Sequence, residues 1–97
     1  MPAYVTLFNW TEEGIKNVKD TTNRAKAARE MWEAAGGHFI GIWWTQGQYD
    51  GVFIHETPDD ETATRLLISL GMKGNVRTTT LRAFSEEETE RIIRGLP

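Results

Sequence analysis

The chain has 97 residues, 39% hydrophobic and 26% charged, with a formal net charge of -3, which describes one globular domain over residues 1–97 and argues against a nucleic-acid partner, whose affinity rests on neutralising phosphates. The absence of cysteine excludes disulfides, thiolate metal sites and a Cys nucleophile, and fits a cytoplasmic, reducing setting. The first residues lack a basic stretch followed by an apolar core, and no apolar run approaches the roughly 20 residues that span a bilayer, so neither a secretory signal nor a membrane partner is expected.

Ala3 to Trp10 is rich in β-branched and aromatic residues and reads as the first strand. Thr11, followed by Glu12 and Glu13, suits a helix N-terminus, where acids favour the dipole. A break at Lys19 to Thr22 precedes a better helix, capped by Thr21 or Thr22, in which Ala25, Ala28, Trp32 and Ala35 recur at helical spacing until Gly36 and Gly37. His38 to Thr45 is the second strand, Gln46 to Gln48 a turn, and Tyr49 to Glu56 the third strand. Thr57-Pro58-Asp59-Asp60 opens a helix whose apolar stripe is Ala63, Leu66, Leu67 and Leu70, closed by Gly71. Asn75 to Phe84 is the fourth strand, and Ser85 to Glu88 is a capping box for a short last helix carrying Ile92, Ile93 and Leu96. The order βαββαβα predicts an α+β, ferredoxin-like βαββαβ fold with a C-terminal helix and a four-stranded antiparallel sheet.

Strand alternation divides the sheet residues into two sets. One is aliphatic: Val5, Leu7, Ile40, Ile42, Val52, Ile54, Leu81 and Ala83. The other joins rings to polar tips: Tyr4, Thr6, Phe8, Trp10, Phe39, Trp43, Tyr49, Phe53, His55, Thr78, Thr80 and Arg82. Aliphatic residues suit packing against helices, so the aromatic set is assigned to the open face; a β-bulge would exchange some memberships. An aromatic face of that extent is too apolar for water. The simplest cover is a second copy, giving a homodimeric α/β barrel, with a small hydrophobic or aromatic ligand between the two sheets as a further expectation. Higher assembly through edge strands is a third.

Four segments, in order and spread over nearly the whole chain, resemble the GYD domain family: Asn9-Trp10-Thr11-Glu12-Glu13-Gly14, Trp44-Thr45-Gln46-Gly47-Gln48-Tyr49-Asp50, Glu56-Thr57-Pro58-Asp59-Asp60-Glu61 and Asn75-Val76-Arg77-Thr78-Thr79-Thr80-Leu81. The resemblance implies a ferredoxin-like fold and kinship with dimeric α/β-barrel proteins. It supplies no mechanism, because proteins of that architecture include monooxygenases, isomerases, haem-binding enzymes and proteins without known activity.

The candidate catalytic residues are His55, Asp50 and Tyr49. His55 is a general base or a satisfied interface histidine. Asp50 and Tyr49 are a proton-moving pair at a pocket mouth, or a turn-bonding carboxylate and a packed ring. Tyr4, Phe8, Trp10, Trp43, Phe53 and Arg82 are the candidate ligand or interface residues. Trp43 and Trp44 point to opposite faces, one toward the helices and one toward a partner or ligand. His38 and His55 without a third clustered ligand make a poor metal case, and no cofactor is expected. The cations at Lys16, Lys19, Arg24, Lys26 and Arg29 read as a solvated helix face. Two functional readings result: a binding or assembly module without chemistry, and a cofactor-free small-molecule enzyme of the monooxygenase or isomerase type.

Overall fold

The computed structural model describes residues 1–97. Strands β1 (Ala3–Trp10), β2 (His38–Trp44), β3 (Gly51–Glu56) and β4 (Val76–Ala83) form one sheet in the order β2-β3-β1-β4, every neighbouring pair antiparallel. Helices α1 (Glu12–Lys16), α2 (Thr21–Ala34), α3 (Asp60–Met72) and α4 (Glu86–Arg94) complete the chain, with a 3₁₀ turn at Val18–Asp20 before α2. This is the ferredoxin-like arrangement that the element order predicts: each βαβ half crosses over the sheet, and the two central strands β1 and β3 come from different halves.

Most of the helix boundaries follow from local chemistry. Thr11 caps α1 by accepting from the Gly14 N–H, and Ser85 and Glu88 form a reciprocal capping box on α4. At α3 the cap is Asp59, whose carboxylate accepts from the Thr62 N–H at 2.8 Å, so the helix begins at Asp60, and Thr57 instead donates its hydroxyl to the Asp59 carbonyl. α2 begins at Thr21 without a side-chain cap, so neither Thr21 nor Thr22 serves as one. The third strand starts at Gly51, later than expected, because the hairpin loop is closed by its own bonds and holds Tyr49 and Asp50 outside the ladder. Gly51 has no room for a side chain: a Cβ there would lie 2.2 Å from Phe8 Cζ.

The assignment of the two sheet faces is reversed in the structure. Tyr4, Thr6, Phe8, Phe39, Phe53 and His55 are all buried beneath the helices, around a fully buried Trp32 from α2. Trp32 meets Phe39, Phe53 and His55 edge-on, with ring centroids 5.0–5.7 Å apart. Alternation defines the two sets but not which one is covered. The helices decide that. They present small side chains such as Ala28 and Ala63 toward the sheet, so the strands must supply the bulk, and rings fill the space. A bulge between Phe39 and Gly41 then exchanges the sides along β2. Ile42, opposite Phe53, turns to the helix side with Trp44, while Trp43, opposite Val52, stands on the open face.

Candidate functional site

His55 lies at the centre of a sealed polar chain. Its Nδ1 is 3.0 Å from the Trp32 indole nitrogen, and its Nε2 is 2.8 Å from Thr6 Oγ1, which is 2.8 Å from Thr80 Oγ1. An indole N–H can only donate, so Nδ1 accepts and the imidazole is the neutral Nε2–H tautomer. Nε2–H donates to Thr6 Oγ1, and the Thr6 and Thr80 hydroxyls share the next hydrogen bond. Burial holds the imidazole down at about 4, against an ordinary 6.5. With no solvent exposure and both nitrogens occupied, His55 has no free position to offer a substrate proton.

Asp50 and Tyr49 sit at the other end of β3. Asp50 Oδ2 accepts from the Trp10 N–H at 2.9 Å, its backbone N–H donates to the Phe8 carbonyl, and its carbonyl accepts from Thr45. The Tyr49 carbonyl accepts from the Thr45 hydroxyl at 2.8 Å. Asn9 Nδ2 donates to the Gln48 carbonyl, and the Thr11 N–H to the Asn75 carbonyl. Three of the four segments singled out in the sequence therefore meet at one end of the sheet and clasp the hairpin to β1. Gly14 belongs to the same clasp, since a Cβ there would lie 1.9 Å from the Asn75 carbonyl oxygen. Five residues of strand, on the order of 16 Å, separate Asp50 from His55, so the three catalytic candidates are not brought together.

The remaining candidates separate into three places. Tyr4 stacks on His55 with centroids 5.3 Å apart and donates its hydroxyl to Asp60; burial, then this carboxylate, pushes its phenol above its ordinary value. Arg82, on edge strand β4, lies over the rings of Tyr4 and Phe84 and faces Glu88 at 4.0 Å. Phe8, Trp10 and Phe53 line a slot beneath α2, together with Trp44.

On the other side of the sheet nothing covers an aliphatic surface. Val5, Leu7, Val52 and Ile54 are half-buried by their neighbours alone, and Trp43 and Leu81 are each 53% exposed. The Trp43 ring lies over Gly41, where a Cβ would be 2.7 Å from Cη2. Beyond edge strand β4, α4 buries none of its residues, and Phe84, Ile92, Ile93 and Leu96 are all at least half exposed. The stripe on α4 was legible in the sequence. That nothing in its own chain receives it was not.

The GYD domain profile matches residues 4–93. This chain belongs to the GYD domain family. Among relatives of this GYD domain, a Thermus thermophilus protein named glutamine synthetase and cystathionine beta-lyase binding protein is 29% identical over 85 residues, covering 87% of this chain and 90% of the relative. Two solved structures share the fold. MtbAldR superposes with a TM-score of 0.67 at 12% identity over 88% of this chain and 53% of that one. TTHA0845 from Thermus thermophilus superposes with a TM-score of 0.54 at 23% identity over 88% and 95%. At these identities the structures establish architecture and nothing about activity.

Proposed function

We propose that this GYD domain is a binding and assembly module that works as a homodimer, its two sheets facing each other. The observation that carries the reading is the uncovered aliphatic face of Val5, Leu7, Trp43, Val52, Ile54 and Leu81. Monomeric proteins seldom leave so continuous an apolar surface in water. The surface area points the same way. A folded monomer of 11.0 kDa is expected to expose about 5,600 Å², whereas this chain exposes 6511 Å². The excess, about 900 Å², is close to the ~800 Å² that each partner contributes to a standard interface. A second copy of the same face is self-complementary by symmetry and needs no other protein to supply it.

In this reading the cluster of Trp32, Phe39 and His55 is structural, and His55 orders the core. The name of the Thermus thermophilus relative, which describes a protein that binds two enzymes, supports a binding role in place of chemistry. The outward helix surfaces of the dimer would then meet a protein partner. Sedimentation velocity tests the dimer directly. The wild type should sediment at twice 11.0 kDa at micromolar concentrations, and Trp43→Asp should sediment as a folded monomer whose far-UV circular dichroism falls by no more than the helicity of the nine-residue α4. A wild-type monomer at 100-fold higher concentration, or a Trp43→Asp protein that stays dimeric, would overturn the reading.

A further inference from the structure

The slot on the helix side of the sheet is not used by the dimer and has a chemistry of its own. It runs between the first half of α2 and the C-terminal end of α3, over the rings of Phe8 and Phe53, with Trp10 and Trp44 beside it. Its volume is about 110 Å³. This is less than the ~150 Å³ of an enclosed apolar cavity that holds a benzene ring and well below the ~300 Å³ at which sites for drug-sized ligands start, but the slot is open on one side, so it suits a short branched chain or a single ring that projects from its mouth. Ala25 and Ala28 leave the space open on the α2 side.

The polar groups at the slot are Thr21, Arg24, Lys73 and Asn75: two cations and no acid. Arg24 donates to the Asn17 carbonyl and to Thr21 Oγ1, at 2.9 and 3.2 Å, which fixes its guanidinium without neutralising it. Neither Arg24 nor Lys73 takes part in an ion pair, in a chain where carboxylates outnumber cations. The first turn of α2 carries no acid, the N-cap Asp20 accepts from Asn23 and forms no ion pair with Arg24, and a cation at this end opposes the helix dipole. An apolar slot of ring size with two unneutralised cations and no carboxylate is complementary to one class of small molecule.

We propose that the slot binds a small hydrophobic monocarboxylate, its ring or branched chain against Phe8 and Phe53 and its carboxylate on Arg24 and Lys73. A charge-assisted contact of this kind favours the anion over a neutral isostere by roughly tenfold. The test uses 3-phenylpropionate and its neutral amide, titrated into the full-length protein and followed by ¹H–¹⁵N spectra. The expected result is saturable shifts at the Trp10 and Trp44 indole N–H groups and at the Ala25 and Ala28 amides, with the Trp43 indole unmoved. Phenylpropionate should bind at least about tenfold more tightly than the amide. Arg24→Gln, a change at a half-buried side chain outside the ring-filled core, should bring the two to within twofold, and Ala25→Leu should abolish both. Equal affinity for acid and amide in the wild type overturns the assignment of the cations. No saturation by either probe, or shifts centred on Trp43, overturns the slot as the site. Because the proposed dimer would use the sheet's other face, sedimentation of the same samples separates failure here from failure of the dimer.

Discussion

His55 enters the folded protein as a neutral imidazole, with Trp32 donating to Nδ1 and Thr6 accepting from Nε2. Its unfolded counterpart titrates near 6.5, whereas in the fold the value is about 4. Between those values the unfolded chain binds a proton that the native one does not, so stability is complete above pH 6.5, falls as pH drops toward 4, and loses nothing further from this group below that. The slope approaches ~1.4 kcal/mol per pH unit, or on the order of 3 kcal/mol across the window. Urea denaturation from pH 7.5 to pH 4 should show this fall in the wild type and a shallower one in His55→Gln; equal slopes would place the titration elsewhere. The sequence allowed His55 to be a base or a satisfied interface histidine, and the structure seals it in the core beneath the helices instead. The choice depends on Trp32, 23 positions away in the chain, and no local pattern could have paired them.

At the scale of elements, α4 contrasts with α3. α3 buries Ala63 and Leu66 and packs Leu67 and Leu70 against the same core. α4 has a capping box and a Glu90–Arg94 pair at 3.2 Å, but these contribute only about 1 kcal/mol or less each, and nine residues are too few to hold a helix alone. Its apolar stripe is therefore left without a partner in its own chain, and in the proposed dimer a second copy would supply one. Ile93→Asp should leave the far-UV spectrum of the monomer unchanged while raising the dimer dissociation constant at least tenfold, as measured by analytical ultracentrifugation; an unchanged constant would remove α4 from the interface. Strand edges are guarded unequally. The β2 edge carries the bulge that discourages pairing, and the β4 edge leads directly into α4.

The whole molecule is extended for its length. Its radius of gyration is 14.7 Å and its longest extent 51 Å, against about 13 Å for the radius of a compact chain near 100 residues. If two copies close over the open face, unfolding and dissociation are coupled, and the midpoint must depend on concentration. A tenfold increase in protein should raise Tm by roughly 3–5 °C, given that each tenfold is ~1.4 kcal/mol and the dimer has the size of a 150–250-residue unit. A constant Tm over a hundredfold range would mean that the monomer is the folding unit. By itself, the sequence determined the element order, the caps at Thr11 and Ser85, the strand membership of most of the rings and the family, because capping, periodicity and turn chemistry act over a few residues and leave their mark there. Only the tertiary structure decided which face of the sheet the helices cover, that Trp43 escapes to the other side, that His55 is sealed, and that Arg24 and Lys73 flank one slot. Those outcomes depend on a one-residue bulge and on matching side-chain volumes across elements far apart in the chain, and an alternating pattern is the same whichever way the sheet is turned.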